Sequence, residues 1–288
     1  MRRRNRCLGM GGGRLAYACG RTLSKLPAPV LAAGLAFGAV AAKADAAPAE
    51  PFKVTNIHFE TNASACDMGI QIAFDTDGIT QGSVRAPNGR RVYSFASQGG
   101  MRATGGQTEG FLEGVEPQIT ELLEALGCEP SDEEEEISLD ELFAAWPAGH
   151  YRFQGRGKGT KFKGRAELTH HIPAGPEIQA PADGTVVSDE EPLLIEWQEV
   201  TEAILTMDPD LGPVEIVGYH VVVVETGGEA LPQLDVDVSS SETSVTVPAE
   251  YLKPNTVYQF EVLATEKSGN QTITEGLFCT TDVGDCAE

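Results

Sequence analysis

From Pro176 onward, apolar residues recur at every second position in a series of short runs, and that alternation leaves few folds open. Leu193, Ile195 and Trp197 alternate with Leu194 and Glu196; Tyr219, Val221 and Val223 share a face within Gly218 to Val224. Val245 and Val247 flank Thr246, and Tyr258, Phe260, Val262 and Ala264 repeat the pattern. Successive side chains of a strand point to opposite faces, so each run has one face to bury. Several such runs, separated by turn residues at regular spacing, predict an antiparallel β-sandwich.

A few bulky residues sharpen this expectation. Trp197 comes early, Gly218-Tyr219 next, and Leu252-x-Pro254-x-Thr256-x-Tyr258 last. The set resembles the fibronectin type III signature over residues 176–280. That resemblance implies an immunoglobulin-like core containing Trp197, Tyr219, Leu252 and Tyr258. It also implies a tyrosine corner, in which the Tyr258 hydroxyl bonds to nearby backbone. Residues 281–288 are left as a C-terminal tail. More broadly, the chain resembles a group of exported bacterial proteins that end in a fibronectin type III domain. The resemblance runs through Asp140-Glu141-Leu142, Pro147 to Phe153 and Gly269 to Glu275. It implies architecture and location but no chemistry, because a fold hosts many functions.

Residues 51–173 also read as mostly β, an immunoglobulin-like or jelly-roll sandwich. Pro87-Asn88-Gly89 separates two extended runs and is a strong hairpin signal. A second hairpin joins Tyr151–Gly155 to Lys161–Thr169. A short helical and acidic insertion spans 117–146. Ile119, Leu122, Leu123 and Leu126 fall on one helical face there, and Ser138 with Glu141 forms a capping box. The fold class expected for the whole chain is therefore all-β, with two tandem sandwiches.

Residues 1–46 read as a secretory signal peptide: a basic head, an apolar stretch from Leu26 to Ala42, and a small-residue exit at Ala44-Asp45-Ala46. The expected location is periplasmic or secreted. The whole chain carries 21 Lys and Arg against 43 Asp and Glu; without residues 1–46 the balance is 13 against 42. Such a field repels nucleic acid and anionic lipid, leaving a protein or polysaccharide as the expected partner. No segment after the signal is apolar enough to span a membrane.

Four cysteines lie beyond the signal: Cys66, Cys128, Cys279 and Cys286. An even number in an exported chain indicates disulfides, and four allow three connectivities. Cys66 and the segment Leu122 to Glu136, which holds Cys128, both depart from the apparent relatives. Two unusual cysteines in one domain are most simply partners, which leaves Cys279 to close the tail with Cys286.

No catalytic motif is present, and no cofactor or metal is called for. The acidic run Glu129 to Glu136 lacks the alternating ligands of a calcium loop and reads as a solvated charge run. Glu60, Asn62 and Asp67 surround the first turn, where a polar turn bonding its own backbone competes with a calcium site. His170 and His171 are expected on a strand, facing opposite ways. Arg152, Arg156, Lys158, Lys161, Lys163 and Arg165 concentrate positive charge on the second hairpin. They form either a docking strip for an acidic partner or a solvated hairpin. Arg156, Lys158 and Lys161 are kept as candidate binding residues. A long loop from Gln198 to Glu215 supplies the others: Met207, expected to pack with Ile204 and Leu205 on the N-terminal domain, and Asp208 and Asp210, expected to rim the groove between domains. The reading is an exported, non-catalytic binding or scaffolding protein. Its alternatives are a carbohydrate-binding or calcium-dependent adhesion module, and a hydrolase with an unrecognised carboxylate pair.

Overall fold

The computed structural model describes residues 48–131, 135–205, 213–226 and 232–280, together with Cys286. The proposed signal peptide and Met207, Asp208 and Asp210 lie outside the described residues. What is described falls within one compact unit, Ala46–Glu288.

Ten strands belong to the N-terminal sandwich: β1 Glu50–Pro51, β2 Val54–Asn62, β3 Asp67–Ile79, β4 Gln81–Arg85, β5 Arg91–Ala96, β6 Gln107–Glu113, β7 Gln118–Ile119, β8 Glu136–Ile137, β9 Gly149–Gly157 and β10 Thr160–Leu168. A five-stranded sheet in the order β1-β10-β9-β4-β5 packs against the sheet that holds β2, β3 and β6. Ile57, Phe59, Ile70, Ile72, Phe74, Tyr151, Phe153 and Phe162 fill the space between them. The hairpin at Asn88-Gly89 joins β4 to β5, and Gly89 supplies the positive φ (86°) that its turn requires.

Three short helices interrupt the strands: α1 Gly99–Ala103, α2 Thr120–Leu126 and α3 Leu139–Ala145. The Ser138 hydroxyl accepts from the Glu141 N–H and the Glu141 carboxylate accepts from the Ser138 N–H, completing the capping box. The Ser138 N–H and hydroxyl both donate to the Glu141 carboxylate and hold its carboxyl below the ordinary range. The insertion is more than an excursion, because Leu122, Leu139, Leu142 and Phe143 belong to the core. Leu126, expected on the same apolar face as Leu122, is exposed at the end of α2, where Gly127 terminates the helix. A disulfide joins Cys66, in the turn between β2 and β3, to Cys128 just beyond α2.

The C-terminal strands are β11 Ile172–Pro173, β12 Ile178–Ala180, β13 Thr185–Val187, β14 Leu193–Trp197, β15 Ala203–Leu205, β16 Ile216–Glu225, β17 Leu234–Ser239, β18 Ser244–Val247, β19 Val257–Glu266 and β20 Gln271–Thr280. A sheet β12-β14-β18 faces the run β17-β16-β19-β20, a fibronectin type III-like sandwich. Trp197, Tyr219, Tyr258, Phe260 and Phe278 are buried at its centre, with Leu252 beside them. The Tyr258 hydroxyl accepts from the Lys253 N–H at 2.8 Å, and the Tyr219 hydroxyl accepts from the Val200 N–H at 2.9 Å. Cys279 and Cys286 are joined by a second disulfide.

The two sandwiches are not beads on a string. β20 pairs in parallel with β2, so a single ten-stranded sheet runs from one to the other. The long loop after β14 also reaches across. Its β15 pairs with β11, whose Ile172 belongs to the N-terminal core, and Ile204 packs against that core too.

A basic sheet face as the candidate functional site

The alternation along β9 and β10 fixes which side chains leave the protein. Tyr151 and Phe153 on β9 and Phe162 on β10 point inward. Period two therefore sends Arg152, Gln154 and Arg156 outward from β9, with Lys161, Lys163 and Arg165 from β10. β4 adds Gln81, Ser83 and Arg85, because Val84 is its buried residue.

Register then assembles these residues into three rows across the sheet. Arg165 lies opposite Arg152, Arg152 opposite Arg85, and Arg85 opposite Arg91 beyond a bulge in β5. The next row is Lys163, Gln154, Ser83 and Ser94; the third is Lys161, Arg156, Gln81 and Ala96. Seven of the 13 basic residues beyond position 46 thus share one face. Neighbouring strands are about 4.8 Å apart, so like charges stand side by side four times, an arrangement that costs a fold stability. Glu167 is the carboxylate on these two strands, one step further along opposite His150.

Two open depressions of about 380 Å³ each mark this face. Arg91, Ser94, Gln81, Ser83, Gln154 and Arg156 line one. Arg152, Gln154, Lys163 and Arg165 line the other, so that Gln154 borders both. Lys158, grouped with these residues from sequence, sits instead in the β9–β10 turn, its side chain against Gly105 and Gly78. Arg85 donates to the Gly89 carbonyl at 2.9 Å, and the Arg152 guanidinium also lies near Gly89.

Of the six other bases beyond position 46, three are held by carboxylates, while Arg90 donates to the Ala145 carbonyl. Lys53 pairs with Asp75 and Asp77, Lys253 with Glu225, and Lys267 with Glu215. Hydrogen bonds to those acids raise each lysine above its ordinary value. Among the described residues, no ion pair involves any of the seven bases on the sheet face.

The outer face of the ten-stranded sheet has the opposite character. Carboxylate oxygens of Glu60, Glu113 and Glu116 lie within 4.8 Å of one another. Gln71 donates to Glu113 at 3.1 Å, Gln271 donates to Glu60, and Asn62 donates to Glu275 at 2.7 Å. Burial first, then the charge of Glu113, pushes the Glu60 carboxyl up. Burial, with Glu275 and Glu60 nearby, does the same to Glu261. Further along, His220 contacts Asp235 at 3.3 Å and Asp237 at 2.7 Å. The calcium reading of Glu60, Asn62 and Asp67 is not what the geometry assembles. The Asn62 carbonyl oxygen instead caps its own turn through the N–H groups of Ser64 and Ala65.

The seam between the sandwiches is centred on a residue whose role sequence reasoning missed. Asn270 is 1% exposed; its oxygen accepts from the Phe59 N–H, and its amide donates to the carbonyls of Thr169 and His171. These claims on the backbone explain why His170 and His171 are not on a strand: β10 stops at Leu168, and the next carbonyls turn to Asn270. His170 stacks on Phe143 at 3.8 Å, while Thr272 donates to the Pro173 carbonyl at 2.6 Å. The Gly269 to Glu275 segment, which carries part of the resemblance, is the joint of the molecule.

No family model and no curated protein matches the sequence. Among solved structures, the chain is similar to the FN1–FN3 domains of chicken CNTN1, at 11% identity and TM-score 0.28. It covers 81% of this chain and 65% of that one. A second likeness is to the fibronectin(III)-like modules of Clostridium thermocellum CbhA: 10% identity, TM-score 0.29, covering 80% and 93%. A third is the fn3 domain of the human collagen alpha-1(XX) chain, at 20% identity, TM-score 0.26 and coverage of 39% and 88%. The sandwich assignment itself rests on the register and the core described above.

Proposed function

We propose that this chain is an exported, non-catalytic binding or scaffolding protein that holds an anionic partner on the outer face of its five-stranded sheet. The observation that carries the reading is the set of seven bases, aligned by register and paired with no described carboxylate, on a chain otherwise dominated by acid. Charge repulsion among them costs the fold and is offset when an anion sits between them. Two disulfides suit an oxidising compartment outside the cytosol, as does the signal-like leader.

The test compares two chains that differ only on this face. One carries Arg152→Gln, Arg156→Gln, Lys161→Gln, Lys163→Gln and Arg165→Gln. On a carboxymethyl matrix at neutral pH and low salt, with residues 1–46 removed from both, the unaltered chain should be retained despite 13 Lys and Arg against 42 Asp and Glu, and the variant should elute well ahead of it. The melting temperature should stay level or rise slightly, since like-charge neighbours are removed. Identical elution of the two chains rules the reading out.

A further inference from the structure

The charged rows say that the partner is anionic; the row between them says more. Lys163, Gln154, Ser83 and Ser94 run between the arginine row and the row holding Arg156 and Lys161. Resting on the anion-binding reading above, we propose that the partner is a linear polysaccharide bearing carboxylates on its sugars.

Four observations lead there. First, the face is broad and shallow. From Arg152 to Arg156 is about 13 Å along the strand, and four strands span about 14 Å. Small ligands are held in concave pockets, whereas an open face of this size suits a chain that continues past its edges. Second, the two depressions are adjacent, with Gln154 bordering both, which suits consecutive units of one polymer. Third, each depression combines a guanidinium with neutral donors and acceptors. Guanidinium forks match carboxylates, while amide and hydroxyl groups match sugar hydroxyls, which donate and accept alike. In the middle row Lys163 serves a carboxylate, while Gln154, Ser83 and Ser94 can both donate to and accept from the hydroxyls beside it. Fourth, no outward residue of the three rows is aromatic or large and apolar. Nucleic-acid strands are gripped largely by stacking on aromatic rings, and membrane surfaces by inserted apolar side chains; Phe95, which also lines the first depression, is stacked on core Phe74, so neither device projects from these rows.

Calorimetric titration of the full chain with polygalacturonate, poly-glutamate and neutral dextran tests this. Polygalacturonate should bind at least tenfold more tightly than poly-glutamate, and dextran should not bind. The double variant Ser83→Ala, Gln154→Ala should lose about tenfold for polygalacturonate, the effect of two hydrogen bonds, and clearly less for poly-glutamate. Poly-glutamate binding as tightly as polygalacturonate, or a double variant that loses both equally, overturns the polysaccharide assignment but leaves the anion-binding reading intact. Tighter binding of single-stranded oligothymidylate or of phosphatidylglycerol vesicles than of polygalacturonate also overturns it. So does salt-sensitive self-association that the five-base variant abolishes, which would make a second copy the occupant. Failure of every anion to bind removes both proposals.

Discussion

The two outer faces of the N-terminal sandwich treat charge in opposite ways. On the ten-stranded sheet the acids are tied within the chain: Gln71 holds Glu113, Gln271 holds Glu60, and Asn62 holds Glu275. Two of those three bonds join the sandwiches, so on this face polar groups build structure. On the five-stranded sheet the bases line up in register with no described carboxylate beside them. Charges satisfied inside the chain serve its architecture, and charges aligned and left to solvent are available to something else.

If the seam face is architectural, cutting its central bonds should destabilise the whole molecule. Asn270→Ala removes one acceptor and the donors to two carbonyls from a fully buried position. Each stranded group costs about 1–3 kcal/mol, so a loss of about 3 kcal/mol or more is expected by denaturant titration. A change within experimental error would mean that the seam is not what joins the sandwiches.

A smaller effect is expected at Glu60. Its folded pKa lies above the ordinary value of 4.5, mainly through burial. Between those two values the folded state binds more protons than the unfolded chain. The contribution is therefore present below the ordinary carboxylate pKa and lost as the pH rises through the raised one. Glu60→Gln keeps the shape, removes the charge, and should flatten the fall in stability on going from pH 4.5 to neutrality. Parallel pH profiles for the two proteins would place Glu60 among ordinary solvated acids instead.

The sequence reveals these two faces unequally. The C-terminal sandwich is legible because its signal is local: alternation puts Tyr219, Val221 and Val223 inward without knowledge of their partners. Five of the seven bases are legible for the same reason, since β9 and β10 are contiguous and meet at a glycine turn. The other two are not. Arg85 and Arg91 flank the Asn-Gly turn and join the face only because β4 pairs with β9, Arg85 lying opposite the sequence-distant Arg152. Lys158 shows the converse, being near in sequence but turned aside by a positive φ of 47°. Asn270 was visible as part of a recurring segment, yet its task depends on Phe59, 211 positions away. No local pattern encodes such a meeting.

Amide hydrogen exchange of the full chain, with and without saturating polygalacturonate, sets the two faces directly against each other. The account predicts added protection in Gln81–Arg85, Gly149–Gly157 and Thr160–Leu168, with the peptides covering Glu60, Glu113 and Glu275 unchanged. Protection confined to the ten-stranded sheet, around Glu60 or the exposed Phe111, would contradict it.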